Sequence, residues 1–206
     1  MATREYEDKY AEEGMNYIVG IDEAGRGPLA GPLVIAGVIL PPGYKNDNIN
    51  DSKQITEKKR RELFEIIKQD ALEIKINIVD VETIDKLNIY DATKKGMEEI
   101  IRRIDLKYDA IFVDAMPLSN VKKPVLSLIK GDQLSISIAA ASIIAKVTRD
   151  DIMIELDKYY PYYDLKNNKG YGTKKNMLAL EEFGATPIHR KSYAPVQRAM
   201  QMKLKV

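Results

Sequence analysis

Two apolar, β-branched runs at residues 17–21 and 33–40 bracket the stretch GIDEAGRGPLAGP at 20–32. Short strands joined by a glycine-rich turn predict a hairpin, and no other feature restricts the fold as much. Successive strand side chains face opposite sides, so Asp22 and Glu23 converge on one ion only if the first strand ends at Ile21. Gly25 and Gly27 supply that ending, because glycine tolerates the backbone angles of a tight turn and admits a ligand close to the main chain. The stretch then reads as an acidic metal site beside a phosphate-reading loop around Arg26. Residues 25–30 also match the dinucleotide fingerprint, but a helix should follow, and here Pro32 and an apolar run follow instead. Two carboxylates ahead of that loop would repel a pyrophosphate. Residues 20–25 have the spacing of a P-loop, yet Arg26 and Gly27 stand where lysine and a hydroxyl residue are required. A plain turn whose acids face solvent stays open on these residues alone.

The 206 residues, 45% hydrophobic, can bury a core of one domain. There is no cysteine, so a metal must take oxygen or imidazole ligands, and with one histidine against 31 acids the natural ion is Mg2+ or Mn2+. The first fourteen residues are charged and no apolar run reaches membrane-spanning length, which predicts a cytoplasmic protein. Charge is segregated. From Lys158 onward ten Lys and Arg face three acids, a balance of +7 that leaves −6 for the rest of the chain. An acidic body with a basic helical extension suits a metal-dependent enzyme that holds a polyanion.

Apolar spacing predicts helices at 56–70, 81–104 with a break near Asn88, 138–159, 173–183 and 193–202, and a short one near the N-terminus. Further strands are expected at 72–79, 110–113 and 125–129. Small residues Ala139, Ala140, Ala141, Ser142 and Ala145 in the longest helix allow it to lie close on a sheet. Strands interleaved with helices after an initial hairpin predict an α/β domain with a mixed sheet. No domain boundary is indicated, so residues 1–206 are expected to form a single domain extended from about 158.

Asp114 closes the strand at 110–113 much as Asp22 follows the first, and Asp132 comes eighteen residues later behind Gly131. Carboxylates gathered at one sheet edge raise one another's pKa, and divalent cations relieve them in sites of phosphoryl transfer.

At this point the chain resembles ribonuclease HII, the prokaryotic type 2 ribonuclease H family. The resemblance rests on GIDEAGRGPLAGP at 20–32, DSK at 51–53, Val113-Asp114, KGDQLSISIAAASIIAKVTRD at 130–150, KGYGT at 169–173 and HRKSY at 189–193, in the family's order. It implies a ribonuclease H-like mixed sheet flanked by helices, with Asp22, Glu23, Asp114 and Asp132 as the catalytic carboxylates holding two divalent ions. Gly25, Arg26 and Gly27 become the loop that recognises the ribonucleotide, and Tyr171 stacks on the sugar at the RNA-to-DNA junction. Lys53, Lys146, His189 and Arg190 are expected on the substrate side, His189 as an anchor or phosphate contact, while Asp150 reads as structural. The implied activity is hydrolysis of RNA in RNA/DNA hybrids and incision at single ribonucleotides in duplex DNA, leaving 5′-phosphate and 3′-hydroxyl ends, in ribonucleotide excision and primer removal. Backbone groups of residues 25–27 suit the 2′-hydroxyl, and Arg26 suits the adjacent phosphate. Two positions depart from the family: Ala115 where glycine is frequent, and Tyr193 where phenylalanine is common, neither expected to touch the chemistry. The related HIII type usually carries glutamate as its fourth carboxylate and an added N-terminal domain, against which Asp132 and the short leader argue. A monomer is expected, and residues 201–204 read as a frayed helix end in preference to the sliding-clamp peptide that they faintly resemble.

Overall fold

The computed structural model describes residues 3–49, 52 and 55–203, with side chains to residue 201. In chain order its elements are α1 (Glu5–Glu12), β1 (Ile18–Ala24), β2 (Leu33–Ile39), α2 (Glu57–Asp70), β3 (Glu73–Val79), α3 (Val81–Leu87), α4 (Ile89–Arg103), β4 (Ala110–Asp114), β5 (Val125–Leu128), α5 (Gly131–Leu134), α6 (Ile136–Asp157), α7 (Leu165–Asn168), α8 (Lys174–Phe183) and α9 (Ala194–Lys203). The strands form one mixed sheet in the order β3-β2-β1-β4-β5, so the expected α/β class with a helical C-terminal region is met. Helix starts follow local chemistry. The hydroxyl of Thr56 accepts from the Lys59 amide at 3.2 Å, and the Asp80 carboxylate accepts from the Thr83 amide at 2.7 Å. Asn88, at φ 67°, makes the expected break between α3 and α4. No helix among the described residues is long and apolar enough to cross a membrane.

The chain divides into two compact units, one from residues up to 24, 34–77 and 94–147, the other from 25–33, 78–93 and 148 onward. In the first, β1 lies centrally, antiparallel to β2 and parallel to β4, with Ile18 opposite Ala110 and Ile21 opposite Val113. β4 in turn runs parallel to β5, with Asp114 opposite Leu128. All seven residues of β2 are buried. Ile18, Phe112, Leu128 and Ile138 form one core cluster, against which Tyr10 sets its ring edge-on to Phe112 at 4.9 Å. The second unit has its own core, in which Leu29 packs with Met153, Tyr163, Leu165, Leu180 and Val196.

One expectation about the hairpin is corrected. β1 does not stop at Ile21 but continues to Ala24, where it pairs with Val34. Its partner sets the limit: Pro32 has no N–H to extend the ladder, and the chain reverses only at Gly25, at φ 102°. Asp22 and Glu23 therefore lie inside the strand, on alternating faces. The four-residue helices α5 and α7 are too short for periodicity to reveal.

Candidate active site

Parallel pairing brings the ends of β1 and β4 to one sheet edge, and Asp22 and Asp114 each lie one residue beyond the Ile21–Val113 pair. Asp22 is 4% exposed. Its Oδ1 accepts from the Glu23 amide at 2.7 Å. Burial, followed by the charges of Glu23 and Asp114, holds its pKa well above the usual carboxylate value, against lowering by the Glu23 amide and the Ser142 hydroxyl. Ser142, on α6, stands 2.9 Å from the hydroxyl of Ser52. The sequence singled out neither serine for this role, since a serine within an alanine-rich helix carries no signal of its partner.

β5 ends at the same edge, and the chain turns through Lys130, at φ 59°, into α5. The Gly131 amide donates to Asp114 Oδ1 at 2.7 Å, which ties the residue before Asp132 to the end of β4. Asp132 itself is 3% exposed. Gly20 sets the depth of this arrangement: a Cβ there would collide with the main chain of Ser137, so β1 and the start of α6 touch backbone to backbone. Among the described residues no three His, Asp or Glu side chains stand in metal-ligating geometry, short of the four-carboxylate set that the resemblance implies; Asp22 and Glu23 face alternate sides of a strand. The donor set nevertheless fits a hard divalent cation, because its ligands are oxygens and a cation offsets the repulsion that burdens Asp22. Lys53 lies outside the described residues. Lys146 is half-buried on α6.

In the second unit, residues 25–32 form a loop held through its own carbonyl oxygens. Arg190 donates to the carbonyls of Gly25 at 2.6 Å, Arg26 at 3.0 Å, Gly31 at 2.9 Å and Pro32 at 3.2 Å. Arg149 donates from Nε to Pro32 at 2.9 Å and from a terminal nitrogen to Ala30 at 3.1 Å. Gly25 has no alternative, since a Cβ at this φ would collide with Arg149 Nε. Arg26 and Gly27 are exposed. The Tyr171 ring comes within 3.5 Å of where a Gly27 Cβ would stand, and Tyr171 is 46% exposed. Loop and aromatic ring thus adjoin.

Arg190 and His189 are both 0% exposed, which corrects the expectation of a direct substrate contact at Arg190 and, of the two roles open to His189, supports the anchoring one. Arg190 spends its donors on the loop. His189 accepts through Nδ1 from the Thr186 amide at 3.1 Å, and burial pushes its pKa down to about 4. It is an anchor. Burial and then the charge of Arg190 lower the Arg149 pKa to about 10, which leaves the guanidinium charged at neutral pH. Tyr193 supports the loop: its hydroxyl donates to the Arg26 carbonyl at 2.6 Å and accepts from Arg190 at 3.0 Å, bonds a phenylalanine lacks. Ala115, at φ 45°, occupies left-handed backbone, which glycine adopts without strain. Asp150 is buried on α6, 5% exposed.

The family model described as ribonuclease HII matches residues 19–196. A ribonuclease HII of Listeria monocytogenes is 53% identical over 196 residues, 95% of this chain and 75% of its own. The crystal structure of ribonuclease H2 from Pyrococcus horikoshii is similar at a TM-score of 0.83 and 25% identity, covering 92% of this chain and 100% of its own. The ribonuclease HII of Archaeoglobus fulgidus, solved in complex with PCNA, gives 0.73 at 27% identity, covering 86% and 95%. The family match runs from β1 into α9, and the chain belongs to the ribonuclease HII family, endoribonucleases that degrade the RNA of RNA/DNA hybrids.

Proposed function

We propose that this enzyme is metal-dependent and that, besides cleaving RNA/DNA hybrids, it incises on the 5′ side of single ribonucleotides embedded in duplex DNA. The observation that carries the reading is the buried Asp22, whose ionised form is opposed by burial and by the charges of Glu23 and Asp114. Asp22, Asp114 and Asp132 would hold Mg2+ or Mn2+, with Glu23, on the other face of β1, serving a second ion during turnover; the ions would supply activation of water for in-line attack and stabilisation of the leaving 3′-oxygen. Ser142 orients the Asp22 carboxylate, and the Gly131 amide orients that of Asp114. The backbone of Gly25 and Gly27 hydrogen-bonds the 2′-hydroxyl, the group that distinguishes a single ribonucleotide from its deoxy neighbours. The exposed Arg26 takes the adjacent phosphate, and Tyr171 stacks on the sugar at the RNA-to-DNA junction. The products carry 5′-phosphate and 3′-hydroxyl ends, which suits ribonucleotide excision and primer removal. The PCNA complex of the Archaeoglobus relative supports clamp contact as a further property. Residues 201–204 would carry it, Leu204 lying outside the described residues, and unchanged clamp binding after their deletion would dispose of the idea.

A denaturing-gel assay on labelled duplex DNA with one ribonucleotide, beside an all-DNA control, tests the reading. Incision only at the ribonucleotide is expected, abolished by a chelator and reduced more than about a hundredfold in Asp132→Asn while hybrid binding persists. A long hybrid cut while the lone ribonucleotide survives would point to HIII-like specificity. Binding without cleavage would leave a hybrid-binding module.

A further inference from the structure

Arg149 is a buried cation that the proposed chemistry does not use, 1% exposed and placed on α6. Two of its nitrogens hold the loop at Pro32 and Ala30, while the third donates to the Lys169 carbonyl at 2.9 Å, in the turn that carries Tyr171. The same turn meets the loop a second time, where the Leu29 amide donates to the Gly170 carbonyl at 2.8 Å. A guanidinium fixes its donors in one plane, so three carbonyls bound to it cannot shift independently. Arg190 differs: it donates to loop carbonyls and to Tyr193, outside the Tyr171 turn.

We propose that Arg149 is a positioning residue for ribonucleotide discrimination, fixing the spacing between the loop of residues 25–27 and the Tyr171 ring. This rests on the reading of those two elements as the ones that recognise the ribonucleotide. Together they would present one surface to a ribose and its 2′-hydroxyl. Loosening their spacing costs the benefit of both partners together, because a ring at the wrong distance stacks on nothing that the loop holds. Lysine at 149 keeps the charge but has no planar array of donors to span three carbonyls.

A double-mutant cycle between Arg149→Lys and Tyr171→Ala tests this, with kcat and KM measured on duplex DNA carrying one ribonucleotide and normalised to folded protein. In the otherwise native enzyme Tyr171→Ala should lower kcat/KM roughly tenfold, the size of a lost base–aromatic stack. In the Arg149→Lys background it should lower it less than about twofold, because the ring is already misplaced. A second variant approaches the same spacing from the other side: at Gly170 a Cβ would collide with the Ala30 carbonyl oxygen, so Gly170→Ala forces the turn from the loop with Arg149 intact. It should abolish the effect of Tyr171→Ala in the same way. Additive losses in both cycles would overturn the proposal, as would failure of Arg149→Lys and Gly170→Ala alike to fold, which would make the contacts a stability device. No effect of Tyr171→Ala in the otherwise native enzyme would instead overturn the underlying assignment of Tyr171.

Discussion

His189 is the residue whose chemistry most directly links burial to pH. Its imidazole is enclosed, packs against Tyr163 with ring centroids 4.8 Å apart, and serves as acceptor for Thr186. Between its folded pKa of about 4 and the ordinary value of 6.5, the unfolded chain binds a proton that the folded chain does not. Unfolding free energy therefore rises with pH across that window. The contribution is complete above 6.5 and is lost as pH falls through 6.5 toward 4. Its size is about 3 kcal/mol, from the pKa difference. His189→Gln, which keeps an acceptor near Thr186, should flatten this dependence, and denaturant titrations at several pH values check it. An unaltered slope would mean that other groups carry the acid sensitivity.

At the scale of elements, the contact between β1 and α6 decides how closely the acidic edge is assembled. Gly20→Ala places a methyl group against the Ser137 main chain, where no flexible side chain can give way. A cost of about 1–3 kcal/mol is expected, typical of overpacking. Because Asp22 and its partner Ser142 lie on the two displaced elements, cleavage should also fall in the fraction that remains folded; melting curves and active-fraction kinetics separate the two effects. The strand bearing Asp114 was legible because an apolar run of four stops at a charge, and Asn88 was legible as a break in a periodic pattern. The end of β1 was not, since it depends on what β2 offers across the ladder, and a run of side chains says nothing of its partner's register. Arg149 and Arg190 were harder still. Their partners in the loop are carbonyl oxygens 117 to 165 residues away in the chain, and every residue has a carbonyl, so no spacing of side-chain types marks the ones they bind.

For the molecule as a whole, charge and metal bear on stability together. Without a cation, folding must bury Asp22 against the repulsion of Glu23 and Asp114. A cation that binds only the folded chain adds about 2.7 kcal/mol at a hundred times its Kd, which for a chain of this size raises Tm by roughly 5–10 °C. Thermal melts with and without Mn2+ should show that rise, and Asp132→Asn should reduce it; equal shifts in both proteins would remove Asp132 from the metal site. The loop of residues 25–32 carries one more consequence, for how such an enzyme can change over time. It is held by main-chain oxygens, which no substitution within it deletes, so its path is encoded at positions 149 and 190. A new side chain at position 26 alters what the loop touches and leaves where it runs intact. Variation in substrate preference is thus open locally, while the frame is inherited through two arginines far away in sequence.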